Sequence, residues 1–262
     1  MKIIFYKYQG TGNDFVIIDN RQQIFSKKSQ TFFRKICDRR FGIGADGLIL
    51  LQNHLKFDFE MIYFNADGKE GSMCGNGGRC IVAFAKFLKI IDKKTSFSAI
   101  DGVHDAVVLK NNLISLKMNN VQHIKVSKDH ILLNTGSPHY VKAIKNIIGL
   151  DAVEVGKKIR YSSKFKKEGI NVNFIQKRGK DLFIRTYERG VENETFSCGT
   201  GAIAAAIAAN QMNLTTTNQV KINALGGILQ VSFEKNKQNQ YKNIWLTGPV
   251  QQTFTGNIEI KL

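Results

Sequence analysis

A chain of 262 residues with 43% hydrophobic and 23% charged side chains can bury a sizeable core and has the balance of a soluble globular protein. Its net charge of +17 invites a nucleic-acid reading. The lysines, however, are scattered (Lys27-Lys28, Lys93-Lys94, Lys157-Lys158, Lys166-Lys167, Lys235 and Lys237) with no recognition motif beside them, so no nucleic-acid partner is expected. The N-terminus lacks the apolar core and cleavage site of a signal peptide. No apolar run approaches the ~20 residues of a membrane span, and a cytoplasmic protein without a membrane partner is expected.

Strand signals dominate along the chain. Val16–Ile18 and Leu48–Leu51 read as short strands, and Phe57–Tyr63 alternates apolar and polar. Arg79–Ile91 is apolar almost all round and reads as a buried helix. Val107–Leu109 and Leu113–Met118 return to strand, and a domain boundary is expected near Asn119–His123. Val172–Ile175 and Leu182–Ile184 follow, then the alanine-rich Ala202–Ala209, a slim helix with high propensity. Leu229–Phe233 and Asn257–Leu262 alternate as strands. The expectation is an α+β fold of two pseudo-symmetric lobes, each a β shell around one central helix. Residues 1–120 would form the first lobe, with the C-terminal strand (about 251–262) returning to it, and residues 121–250 the second.

An internal repeat supports the two lobes. Cys74-Gly75-Asn76-Gly77 and Cys198-Gly199-Thr200-Gly201 are offset by 198 − 74 = 124 residues. The same offset carries Thr11-Gly12 onto Thr135-Gly136, Gly47–Leu50 onto Asn171–Phe174, and Tyr63-Phe64-Asn65 onto Tyr187-Glu188-Arg189. Each match alone is weak. Their agreement points to duplication.

Each of those cysteines runs straight into an apolar helix. A thiol at a helix start meets unpaired N–H groups and the positive end of the helix dipole, which favour the thiolate. The glycines behind it let backbone donors approach a ligand carboxylate. Two such thiols suit proton removal on one face of an amino-acid α carbon and proton return on the other. Cys37 and Cys80 lack that context and read as structural. No CxxC pair or histidine spacing suggests a metal. Gly10-Thr11-Gly12-Asn13 lacks the spacing of a nucleotide loop.

At this level of detail the chain resembles the diaminopimelate epimerase family. The resemblance is carried by Gly10–Phe15, Phe41–Gly47, Asn65–Cys80, Gly136–Val141 and Tyr187–Ala202, in order over nearly the whole chain. It implies two α/β lobes with an active site in the cleft between them. It also implies interconversion of LL- and meso-2,6-diaminopimelate without pyridoxal phosphate, metal or other cofactor, by a homodimer acting on a small amino-acid substrate. Carried over by position, Cys74 and Cys198 are the acid/base pair. Gly75, Asn76, Gly199 and Thr200 hold the reacting carboxylate, and Asn13, Asn65, Asn171, Glu188 and Arg189 bind the distal end. His139 and Glu188 tune the thiols. The chain departs from the family at Ser137, where asparagine is usual, and by one extra residue between Arg189 and Cys198. The nearest alternative is a proline racemase or hydroxyproline epimerase, whose small cyclic substrate has no distal amino-acid end. A basic nucleic-acid-binding protein is more distant.

Overall fold

The computed structural model describes residues 2–259. The first half of the chain forms β1 (Lys2–Gly10), β2 (Asn13–Asp19), α1 (Gln30–Cys37), β3 (Gly47–Gln52), β4 (Glu60–Asn65), α2 (Gly75–Phe87), β5 (Lys94–Ala99), β6 (Gly102–Val108) and β7 (Leu113–Met118). The second half forms β8 (Ile124–Val126), β9 (Ile131–Asn134), β10 (Pro138–Ala143), α3 (Ala152–Arg160), β11 (Asn171–Arg178), β12 (Asp181–Glu188) and β13 (Asn193–Thr195). After these come α4 (Gly199–Gln211), β14 (Gln219–Ala224), β15 (Gly227–Lys235), β16 (Tyr241–Pro249) and β17 (Gln251–Glu259). Two compact units result: the chain up to Leu116 together with Gly248 onward, and Lys117–Thr247. The part of the expected Asn257–Leu262 strand beyond Glu259 lies outside the described residues. No helix among the described residues is long and apolar enough to cross a membrane.

In the first unit the strand order is β17-β1-β2-β3-β4-β5-β6-β7. Successive pairings run antiparallel, antiparallel, parallel, antiparallel, parallel, antiparallel, antiparallel. In the second unit β8-β9-β10-β11-β12-β14-β15-β16 repeats the series, with short β13 added on β12. This is an α+β fold built twice, with β17 taking in the first unit the place of β8 in the second.

The central strands are buried on both faces, which is why they read as unbroken apolar runs rather than alternating ones. Val16, Ile18, Leu48 and Leu50 pack with Phe33 and Ile36 of α1, while Phe15 and Ile49 face Gly77 of α2. The second unit does the same, with Val172 and Phe174 packed with Ala152, Val155 and Ile159 of α3. Each unit therefore carries a second helix outside its sheet. Neither α1 nor α3 is legible as an apolar run, because only one stripe of each is apolar.

The inner helices α2 and α4 each have 13 residues and begin 199 − 75 = 124 residues apart. Both start earlier than expected. Glycine-rich first turns have poor helix propensity, but here they are buried against the sheet, and packing decides. α2 also stops at Phe87 rather than Ile91, where Lys89 takes a left-handed φ of 58°. β4 begins at Glu60 rather than Phe57, with the N–H of Asp58 donated outside the strand to the Ser96 carbonyl.

The repeat slips by one residue between β4 and β12. Phe15 pairs Gly47 as His139 pairs Asn171, both at the 124 offset. Leu48, however, pairs Phe64, whereas Val172 pairs Tyr187, which is 187 − 64 = 123. Asn65 thus corresponds to Glu188 rather than Arg189. The missing residue is restored in the longer turn before α4.

Candidate active site

Cys74 and Cys198 sit immediately before the first turns of α2 and α4 with extended backbone (φ −100°, ψ 123° and φ −125°, ψ 117°). Both are partly buried. The Cys198 sulfur accepts the N–H of Gly201 at 3.4 Å and lies 3.4 Å from the Thr200 hydroxyl. These donors suit a thiolate. The Cys74 sulfur lies 3.5 Å from Asn13 Oδ1. A carbonyl oxygen only accepts, so that contact belongs to the S–H form.

Asn13 is held at both ends. Its Nδ2 donates to Asp46 at 2.6 Å, and its Oδ1 also accepts from Asn76 Nδ2 at 3.2 Å. Asp46 shares Arg39 with Asp14, which Lys7 pairs at 2.7 Å. Burial alone would raise the Asp14 carboxyl, but Arg39 and Lys7 hold it down at about 2. Asn76 in turn accepts from Arg79 Nη2 at 2.9 Å. Arg79 is fully buried and also donates to the Gly75 carbonyl at 3.2 Å and the Thr11 hydroxyl at 3.3 Å. Its Nε has no hydrogen-bond partner among the described residues. Burial lowers its pKa, with the sulfurs of Cys80 and Cys74 acting the other way.

The second unit uses neutral groups instead. Asn173, fully buried, donates from Nδ2 to His139 Nδ1 at 3.0 Å and to the Tyr140 carbonyl at 3.2 Å, and its Oδ1 accepts from Thr186 at 3.0 Å. The Tyr140 carbonyl can only accept, which fixes the amide orientation and makes His139 Nδ1 an acceptor. The ring therefore carries its proton on Nε2, a buried atom with no hydrogen-bond partner among the described residues. Burial, with the Arg189 charge adding to it, lowers the His139 pKa to about 3. The ring is neutral at physiological pH.

The expected distal-end residues fall into two groups. Asn171, Glu188, Arg189 and Ser137 come together. Asn171 Oδ1 accepts the Arg189 backbone N–H at 2.8 Å, and the guanidinium donates to the Glu168 carbonyl at 3.0 Å and Ser137 Oγ at 3.4 Å. Glu188 accepts from Thr195 at 2.9 Å. Ser137 is thus a rest for Arg189. Asn13 joins Cys74, while Asn65 is exposed at the end of β4, its backbone N–H donated to Lys69. Sequence reasoning missed Arg79, Asn173 and Thr186. A charged residue opening an apolar helix and an asparagine inside Val172–Ile175 were the available signals.

A family model described as diaminopimelate epimerase matches residues 5–125 and 131–253. A diaminopimelate epimerase from Flavobacterium psychrophilum is 53% identical over 255 residues, covering 97% of this chain and 99% of the relative. The chain belongs to the diaminopimelate epimerase family. A second diaminopimelate epimerase, from Aquifex aeolicus, is 36% identical and covers 97% of both chains. Among solved structures, a PhzF-family phenazine biosynthesis protein from Bacillus anthracis superposes with a TM-score of 0.79 at 14% identity, covering 99% of this chain and 100% of that one. A hydroxyproline epimerase from Agrobacterium vitis does so with a TM-score of 0.70 at 12% identity, covering 98% and 92%. At such identities these two share the fold alone. The matches at the level of sequence are what set this chain among the diaminopimelate epimerases.

Proposed function

We propose that the protein interconverts LL- and meso-2,6-diaminopimelate by a two-base mechanism in which Cys74 and Cys198 exchange the α proton. The observation that carries this is the pair of equivalent helix starts, each presenting one thiol followed by glycines in a buried first turn. An amino-acid α carbon is barely acidic, because its carbanion puts charge on a carboxylate already negative. Backbone donors at Gly75-Asn76 and Gly199-Thr200 would offset that charge, at roughly 3–4 kcal/mol per well-placed donor. One sulfur takes the proton as thiolate while the other, still a thiol, returns a proton to the planar intermediate. The two titrations are then coupled, with one proton shared between the pair.

At the distal end, Arg189 is suited to a bidentate carboxylate contact and Glu188 to an ammonium. Asn13, Asn65 and the Nδ2 end of Asn171 complete the polar set. His139 acts as a neutral ring through Asn173 rather than as a charge beside Cys198. We also assign the enzyme to the cytoplasm and to lysine and peptidoglycan-precursor synthesis, as a homodimer, on the strength of the family likeness.

The test is incubation with LL-diaminopimelate in D₂O. Deuterium should enter the α carbon as the meso isomer forms, while proline and hydroxyproline stay unchanged. Cys74→Ala and Cys198→Ala should each form no meso isomer. Epimerisation that persists in either variant sinks the two-thiol mechanism.

A further inference from the structure

The longer turn between β12 and α4 is built around one carboxylate. Glu192 has a φ of 56°, a left-handed backbone conformation that a glutamate rarely adopts, and Gly190 precedes it at 92°. The Glu192 N–H closes the turn on the Glu188 carbonyl at 2.8 Å. Its side chain gathers four donors. Oε1 accepts from the Gly190 N–H at 3.1 Å and Arg160 Nε at 3.2 Å. Oε2 accepts from the Tyr161 hydroxyl at 2.9 Å and the Tyr187 hydroxyl at 3.2 Å. Tyr187 is itself fixed, since it is buried against Gly156 so closely that a Cβ there would lie 2.4 Å from its own. Burial alone would raise the Glu192 carboxyl, and these donors with the Arg160 charge lower it instead.

Glu188 and Arg189 lie on the arc that this carboxylate closes. We propose that Glu192 is a positioning residue for substrate selection, tying the turn to the end of α3 so that Glu188 and Arg189 stand ready for the distal amino-acid end. This rests on the assignment above of those two residues to substrate binding. A strained residue held by four partners is the expected form of a preorganised element. Among its described residues unit one has no counterpart, its turn before α2 being one residue shorter. The contribution falls on binding, since the four partners of the Glu192 carboxylate lie outside the first turns of α2 and α4.

Glu192→Gly separates positioning from folding. Glycine adopts a φ of 56° freely, so the backbone strain is relieved while all four side-chain contacts disappear. With LL-diaminopimelate as substrate, KM should rise about tenfold with kcat held within about threefold, and the melting temperature should stay close to that of the native protein. Glu192→Gln should give a smaller KM rise. Tyr161→Phe, on an exposed side chain, should give about a twofold rise and keeps the test available if the turn variants do not fold. Arg189→Ala runs in parallel. If Arg189→Ala raises KM and the Glu192 and Tyr161 variants leave it unchanged, Glu192 is no positioning residue. If Arg189→Ala itself leaves KM unchanged, the distal-site assignment fails, and the proposal with it.

Discussion

The helix starts at Cys74 and Cys198 share length, glycines and sheet register, yet they bury their polar groups in opposite layers. Arg79 of α2 corresponds to Ile203 of α4, both fully buried. In the sheet the exchange is reversed, with Phe15 and Ile49 standing where the other unit has His139 and Asn173. Duplication has kept one backbone and divided the electrostatics. At Cys74 two influences oppose each other. Asn13 Oδ1 favours the thiol, while the guanidinium one turn along the helix favours the thiolate. At Cys198 the Gly201 N–H favours the thiolate. The two-base reaction proposed above needs its two sulfurs in opposite states, and their surroundings differ.

The strongest way to break the comparison is to make the first unit resemble the second at its helix. Arg79→Leu leaves Asn76 Oδ1, the Gly75 carbonyl and the Thr11 hydroxyl without their shared donor. The expected loss is about 2–4 kcal/mol, read by denaturant unfolding. In the folded fraction, the pH midpoint for alkylation of Cys74 should rise while that of Cys198 stays. Equal movement of both midpoints would show that the buried cation does not distinguish them.

The fourth residue of each motif gives a smaller effect. A Cβ on Gly201 would lie 2.6 Å from Asn173 Oδ1 and 3.3 Å from the Cys198 sulfur, whereas on Gly77 its nearest contact is the flexible tip of Ile49 at 3.2 Å. Gly201→Ala should therefore cost about 2–3 kcal/mol by displacing a fully bonded amide. Gly77→Ala should cost under about 1 kcal/mol, partly offset by the better helix propensity of alanine. Thermal unfolding of the pair decides it. Equal costs would mean that the sheet beneath the two glycines is not differentiated.

Much of this site is legible in the sequence because glycine-rich cysteine motifs are rare and specific. The buried polar partners are harder to see. Asn173 lies between Val172 and Phe174, and Arg79 sits two residues before Ile81, so local composition reads both as core. The equivalence of Asn65 with Arg189 fails for a related reason. Matching Tyr63 to Tyr187 maximises identity, but the tight turn between Arg178 and Asp181 sets a different register from the long connection between β3 and β4. The α1 and α3 helices escape notice because a helix lying on the outside of a sheet needs only a narrow apolar stripe. Strand identities survive best, since strands buried on both faces leave the plainest pattern.

The mildest exchange acts on the sheet and is visible chiefly in acid. His139 binds a proton in the unfolded chain near pH 6.5 but in the folded one only at about 3, because burial disfavours the imidazolium. The folded state thus binds fewer protons in that window. The stability this group contributes is present above pH 6.5 and is lost as pH falls toward 3, at up to about 1.4 kcal/mol per unit. His139→Phe installs the first unit's residue and removes that titration, while Asn173 keeps the Tyr140 carbonyl as an acceptor. At pH 8 the variant should differ little from the native protein. By pH 5 it should be relatively more stable by about 2 kcal/mol. Denaturant midpoints of both proteins across pH 8 to 5 measure the gap directly. A gap that stays constant with pH would mean that the ring is protonated in the fold, and that the second unit holds a buried charge after all.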